Sequence, residues 1–155
     1  KEVCIVGIQS KGAKLAERIY KRLIELNHIG PKFFGKLDIT FFRDDFRKDN
    51  KILHAQETEM NFLIEEKKVI LIDDVLYTGR TIQAALQALS NFGRPHSIEL
   101  LALIDRRFNR HLPIQANYIG LKVDALDEAY VKVELSEVEG SDQVLFFDSE
   151  SNLND

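Results

Sequence analysis

The sequence has one cysteine, Cys4, set in the apolar run VCIVGI, so no disulfide can form within the chain and a disulfide-stapled secreted scaffold is excluded. A reducing cytoplasm is the expected compartment. No apolar stretch approaches the roughly 18 residues that a bilayer-spanning helix needs. The first residues match neither a signal peptide nor a transit peptide. A soluble protein without a membrane partner is expected. Positive charge is scarce too: 21 Lys and Arg against 25 Asp and Glu leave a net charge of -4, which argues against a generally basic nucleic-acid coat. No Gly-x-x-x-x-Gly-Lys-Ser/Thr loop occurs, which disfavours a nucleoside triphosphatase. His28, His54, His96 and His111 show no metal-ligand spacing, so none is assigned as ligand or base.

What is present suffices for one core. With 155 residues, 45% of them hydrophobic, the chain fits a single domain spanning 1–155. Because it begins almost directly in a strand, that domain is expected to lack an N-terminal segment. VCIVGI reads as a buried strand, and Leu15, Ile19, Leu23 and Leu26 then recur at helical spacing until NHIGP ends the helix. KLDITFF is the next expected strand, followed by a long charged excursion. VILIDD is a third strand, and Ile82, Ala85, Leu86 and Leu89 form an apolar stripe on the helix after it, which stops at Gly93 and Pro95. SIELLALI makes a fourth. Continuous apolar strands separated by helices predict an α/β fold, a mostly parallel twisted sheet with flanking helices, whose ligands bind beyond the carboxyl ends of the strands. EAYVKVEL and DQVLFF, separated by SEVEGS, predict an appended C-terminal antiparallel hairpin.

One junction carries chemistry. VILIDDVLYTGRT places two neighbouring carboxylates, Asp73 and Asp74, at the end of a buried strand, where they repel each other and resist desolvation. Thr78, Gly79, Arg80 and Thr81 follow where strand gives way to helix, so their backbone N–H groups meet the positive end of the helix dipole and make an anion site. Gly79 lets the backbone approach a phosphate closely, and the hydroxyls of Thr78 and Thr81 add donors. Carboxylates accept hydrogen bonds from sugar hydroxyls and can support a metal ion indirectly. A phosphate cradle beside a hydroxyl-binding pair reads as a ribose-phosphate site. Taken alone, the turn also fits an ordinary helix start next to a solvated acidic loop.

The string VILIDDVLYTGRT resembles the 5-phosphoribosyl 1-diphosphate signature of the type I phosphoribosyltransferases: an apolar strand, two acidic residues, a short spacer and a Thr-Gly-x-Thr turn. More narrowly, GIQSKG, LDITFFRDD, DDVLYTGRT, LIDRRFNRHLPIQANYIG and VELSEVEGSDQV fall in the order found in the bifunctional pyrimidine operon attenuation regulators and uracil phosphoribosyltransferases. The similarity spans nearly the whole chain. It implies a parallel core with a small hood, acting on the sugar diphosphate with Mg²⁺ and with no direct protein ligand to the metal. It further implies that Asp73, Asp74, Tyr77, Thr78, Gly79, Arg80 and Thr81 bind the ribose 5-phosphate. Gln9, Ser10, Lys11 and Gly12 would hold the diphosphate, with Ser-Lys-Gly where the family usually has Thr-Arg-Gly; lysine neutralises phosphate without arginine's fork. Arg43 is expected to act from a mobile loop beginning at FRDDFRKDNK, which would close over the reaction and exclude water. Arg47, Lys48 and Lys51 also fit a solvated charge run. Ile104, Asp105 and Arg106 occupy the position from which the family reads the base.

The reaction so implied joins uracil to 5-phosphoribosyl 1-diphosphate, giving UMP and diphosphate, with Asp73, Asp74 and Arg43 as the catalytic set. Purine relatives commonly place an aspartate just before the Thr-Gly pair; Tyr77 stands there in this chain, which favours the pyrimidine branch. Two other classes stay open: a UMP-responsive RNA-binding regulator of pyrimidine genes, and a ribose-phosphate sensor without turnover, which ligand stabilisation without diphosphate release would reveal. RNA binding is expected to be weaker than in the regulators or absent. Gln115 and Leu121 replace an Arg and a Lys of their pattern, and Asp124 to Asp127 adds acidic character, while Arg106, Arg107, Arg110 and Lys122 remain basic. A homodimer or higher homo-oligomer is expected.

Overall fold

The computed structural model describes residues 1–26, 32–44, 55, 57–126 and 129–147. Five strands form one parallel sheet in the order β2-β1-β3-β4-β5: β1 (Val3–Ile8), β2 (Phe33–Leu37), β3 (Lys68–Leu76), β4 (Ser97–Arg107) and β5 (Tyr118–Asp124). Alternation of side chains across each strand builds two apolar faces. Ile5, Ile70, Ile72 and Leu101 face helix α1 (Lys11–Glu25), which contributes Leu15, Ala16, Ile19 and Leu23. Cys4, Val6, Val69, Leu71, Leu100 and Ala102 join the other cluster with Ile82, Ala85 and Leu89 of helix α2 (Arg80–Leu89). Ile8, Leu37, Ile64, Leu71, Leu76 and Leu89 are each no more than 1% exposed. Burying a side chain of that size is worth roughly 1.5–3 kcal/mol, so these positions dominate the core.

A small second sheet, β6 (Tyr130–Glu134) paired antiparallel with β7 (Gln143–Phe147), supplies the expected hairpin, with a four-residue helix α3 (Ser136–Glu139) between them. Val131, Val133 and Leu135 pack on Ile104 and Ala125, with Val75 and Val123 against them, seating this hood at the carboxyl end of the parallel sheet.

Several elements differ from the sequence reading. The strand expected over KLDITFF lies earlier, at Phe33–Leu37, and Thr40–Phe42 forms a 3₁₀ turn. The Asp38 N–H bonds Thr58 Oγ at 3.0 Å and the Thr40 hydroxyl bonds Asp38 at 2.8 Å, so local side-chain bonds take the chain out of the ladder. Strand β3 runs past the acidic pair to Leu76, and Leu86 is 40% exposed, outside the buried stripe of its helix. β5 had no counterpart in the sequence reading. Residues 45–54 and 56, which include Arg47, Lys48, Lys51 and His54, lie outside the described residues, as do His28 and Asp127.

Candidate active site

Two ladders of unequal length open the site. Pairing of β3 with β1 ends at Gly7–Ile72, whereas its pairing with β4 continues to Leu76–Asp105. Beyond Ile72 the strand therefore has a neighbour on one side only, and the acidic pair stands in that crevice. Asp73 is 6% exposed, and its Oδ1 accepts the Asp74 N–H at 3.0 Å. Burial, then the adjoining Asp74 charge, push the Asp73 carboxyl well above the usual carboxylate range, while the Arg43 charge acts in the opposite sense.

The turn that follows has the shape its sequence implies. Gly79 takes φ +93° at the N-cap of α2, a left-handed conformation that glycine adopts without penalty. A Cβ there would approach Ile114 Cδ1 at 3.3 Å, because the Thr78 carbonyl accepts the His111 N–H at 2.9 Å and holds the 108–116 segment against the turn. Arg43, Asp44, Asp73, Tyr77, Thr78, Arg80 and Thr81 line a cavity of about 400 Å³ here. The Arg80 guanidinium pairs with Asp44 at 2.5 Å and reaches His111 Nδ1 at 3.4 Å.

A second cavity of about 330 Å³ opens on the β1 side, lined by Gln9, Ser10, Asp38, Thr40 and Asp74; both cavities touch Arg43, Asp73, Val75 and Thr81. The Gln9–Ser10 peptide is cis. Gly12 lets α1 start flush against the third strand: a Cβ would meet Ile72 O at 2.6 Å and Asp73 Cα at 3.1 Å. Lys11 points away from this cavity. Its Nζ bonds the Val133 carbonyl and pairs with Glu139 at 3.0 Å, both in the hood.

At the far side of Tyr77, the Arg106 guanidinium lies 3.9 Å from the ring centroid and is 5% exposed. Its Nη2 donates to Ala129 O at 2.9 Å and Leu126 O at 3.4 Å, both carbonyls at the hood's entrance. Asp105 pairs with Arg110 at 2.7 Å, and Arg110 also donates to the Tyr77 carbonyl. Ile104 is 2% exposed in the core under the hood and lines neither cavity at Asp73. The structure thus brings Gln9, Ser10, Arg43, Asp73, Asp74, Tyr77 and Thr78–Thr81 together and places Arg106 behind Tyr77. Asp38, Thr40 and Asp44 join the cavities without having been singled out from the sequence. Asp44 sat in the stretch read as loop, and the bond between Asp38 and Thr40 depends on the turn that replaced the expected strand. Among the described residues, no group of three or more His, Cys, Asp or Glu is placed to hold a metal ion.

Residues 1–137 match the family described as phosphoribosyl transferase domain. Bifunctional protein PyrR from Endomicrobium trichonymphae is 50% identical over 149 residues, covering 94% of this chain and 82% of the relative. The protein of that name from Deinococcus radiodurans is 44% identical, with 96% and 80% covered. Among solved structures, a hypoxanthine phosphoribosyltransferase from Staphylococcus aureus superposes with a TM-score of 0.61 at 24% identity, over 90% of this chain and 72% of that one, a likeness of fold. The crevice at the end of the third strand, the left-handed Gly79 turn and these matches together make the chain a member of the phosphoribosyltransferase family, in the branch of the bifunctional PyrR proteins.

Proposed function

We propose that this chain transfers a 5-phosphoribosyl group from its 1-diphosphate to uracil, yielding UMP and diphosphate. The observation that carries the reading is the pair of cavities joined through Asp73, Val75 and Thr81, one at an anion-binding helix start and the other at the Gln9–Ser10 loop. A ribose with a phosphate at one end and a diphosphate at the other needs that arrangement. Backbone N–H groups of Thr78–Thr81 take the 5-phosphate at the start of α2. Gln9 and Ser10, with the backbone of Lys11 and Gly12, take the diphosphate.

Asp73 and Asp74 sit between them, where ribose hydroxyls donate to carboxylate oxygens. Such donors stabilise the charged form of Asp73 against its burial. As the bond to diphosphate lengthens, positive charge grows on the ring, and two fixed carboxylates favour it. The uracil ring nitrogen attacks the anomeric carbon as its bond to diphosphate breaks, the N–H proton passing to solvent or to the departing diphosphate. Arg43, which touches both cavities, offsets charge on the departing group. The acidic pair also suits Mg²⁺, which keeps several waters and takes substrate oxygens as ligands. Asp73 and Asp74 would face the ion through water, and its contribution when bound is to neutralise diphosphate.

Tyr77 and Arg106 favour uracil as the base. Tyr77 occupies the position where purine relatives commonly place an aspartate, and Arg106 fixes its ring from behind. Supplying the sugar diphosphate and Mg²⁺ with uracil, hypoxanthine, guanine, adenine and orotate tests this directly. UMP should form fastest, and a clear preference for hypoxanthine or guanine would move the chain to the purine branch.

The name of the relatives, Bifunctional protein PyrR, favours a second role, which the resemblance identifies as UMP-responsive RNA binding. Arg107, Arg110, Gln115 and Lys122 line a groove of about 600 Å³ on the relevant face. Arg107 is engaged there in a fork to Asp124, at 2.5 and 2.6 Å. That engagement supports the reading that RNA is bound more weakly than in the regulators.

A further inference from the structure

Helix α1 reaches the hood twice from one side. Lys11 and Arg18 are two turns apart, so both side chains leave the helix on the same face. Lys11 takes Glu139 and the Val133 carbonyl. Arg18 holds three side chains at once. Its Nε donates to Glu137 Oε1 at 2.7 Å, its Nη1 and Nη2 donate to Asp142 at 3.1 and 2.7 Å, and Nη2 also reaches Ser136 Oγ at 3.0 Å. Arg18 is the main reason that the Glu137 and Asp142 carboxyls are both held down at about 2. Asp142 and Glu139 in turn accept the backbone N–H groups of Ser136 and Leu135, at 2.7 and 2.8 Å, so the start of α3 is bound from both sides.

A lone surface ion pair contributes little, but a bidentate arginine in a network is the exception. The contacts continue inward. The hood packs on Ile104 through Val131, Val133 and Leu135, and Ala129, just before β6, accepts Arg106 Nη2, whose guanidinium lies over Tyr77.

We infer that Arg18 is a positioning residue for the base side of the site: by clamping α3 to α1 it fixes the hood, through the hood the Ala129 carbonyl, and through that carbonyl the Arg106 platform beneath Tyr77. This rests on the reading that Tyr77, backed by Arg106, meets the base. Arg18 lines neither cavity at Asp73, so its loss leaves the sugar-diphosphate contacts in place. Lys11 joins the same clamp from the loop that holds diphosphate, which makes α1 the common frame for both halves of the reaction.

Arg18→Gln and Arg18→Lys, compared with the parent chain by hydrogen exchange and by steady-state kinetics, test the inference. In Arg18→Gln, amide exchange across Val131–Leu135 and Gln143–Phe147 should rise by about tenfold, the mark of a lower local opening energy. The KM for uracil should rise about fivefold, by loosening a contact of cation–π strength, with the KM for the sugar diphosphate essentially unchanged. Arg18→Lys keeps the charge and loses the fork, and should fall between. Unchanged hood exchange in Arg18→Gln, faster exchange with an unchanged uracil KM, or equal rises in both KM values would each overturn the clamp. If the parent chain makes no UMP, the proposed activity fails by itself. The clamp is then decided by exchange together with equilibrium binding of UMP, which should weaken in Arg18→Gln; unchanged UMP affinity would reject it.

Discussion

The Arg106 guanidinium lies over the Tyr77 ring at 3.9 Å, the arginine 5% exposed, the tyrosine half-buried, and the arginine's carbonyl partners at the hood's entrance. Neither residue alone specifies this arrangement. The strand ending at Arg107 supplies the cation and the neighbouring strand supplies the turn that carries the ring.

Tyr77→Phe should therefore behave almost like the parent chain, because the ring face is kept. Tyr77→Ala should raise the KM for uracil by between about 5- and 150-fold, the range of one lost base–aromatic stack of about 1–3 kcal/mol, with a smaller effect on the sugar diphosphate. Initial rates over a matrix of the two substrates separate these effects. Equal losses for both would show that Tyr77 only supports the turn.

The buried Asp73 carboxyl carries a cost in stability. Its folded-state pKa is raised, so in the interval between the ordinary carboxylate range and that raised value the folded chain binds more protons than the unfolded one, and stability falls as pH rises. Above that interval the cost is fully present. Asp73→Asn keeps an oxygen for the Asp74 N–H and removes the charge, so at neutral pH its midpoint should rise by about 2–4 °C for each kcal/mol relieved, with the advantage shrinking on acidification. The double change Asp73→Asn and Asp74→Asn should lower turnover by on the order of 10²-fold, the scale of one lost preorganised electrostatic contact. Full turnover in the folded double variant would remove the pair from the chemistry.

Gly12 answers to packing. A methyl group there meets Ile72 O at 2.6 Å and Asp73 Cα at 3.1 Å, both backbone atoms that cannot rotate away. Gly12→Ala should lower the thermal midpoint and raise the KM for the sugar diphosphate, since helix and strand must separate at the point where the acidic pair begins. Overpacking of this kind costs typically about 1–3 kcal/mol, so circular dichroism melts suffice to see it. An unchanged midpoint would contradict the contact.

Asp124 restrains Arg107. With Asp124→Asn the guanidinium loses its fork and becomes available to phosphate, so binding to a pyrimidine-operon leader hairpin in the presence of UMP should strengthen. Its salt slope should steepen by roughly 0.7–0.9 for each further phosphate neutralised. Filter binding across a salt series reads both quantities. Nanomolar, steeply salt-dependent binding by the parent chain would already overturn the expectation of weak RNA recognition.

The sequence was most legible where period and chemistry agreed. VCIVGI, the apolar run before Asp73 and the helix after Gly79 all fell where expected, as did the terminal hairpin. Legibility failed where tertiary contacts overrode local pattern. KLDITFF alternates like a strand, yet side-chain bonds among Asp38, Thr40 and Thr58 turn it away, and the sheet takes Phe33–Leu37 instead. YIGLKVD went unread because an edge strand needs no apolar face: Tyr118 and Leu121 are 47% and 59% exposed, and Gly120 is squeezed against the Leu103 carbonyl. The site residues were named from their motif, but Lys11's turn toward the hood depends on Glu139 and Val133, more than a hundred positions away.

The wall shared by the two cavities has a further consequence. Because Asp73, Val75 and Thr81 border both, the spacing between an anion at the Gly79 turn and one at the Gln9–Ser10 loop is set by a single stretch of rigid strand and helix start. On the proposed reading the site works as a ruler. Separate fragments, each carrying one anion, should occupy the marks independently and weakly. A single molecule of matching length should engage both at once, its second contact forming at the high effective concentration that tethering confers.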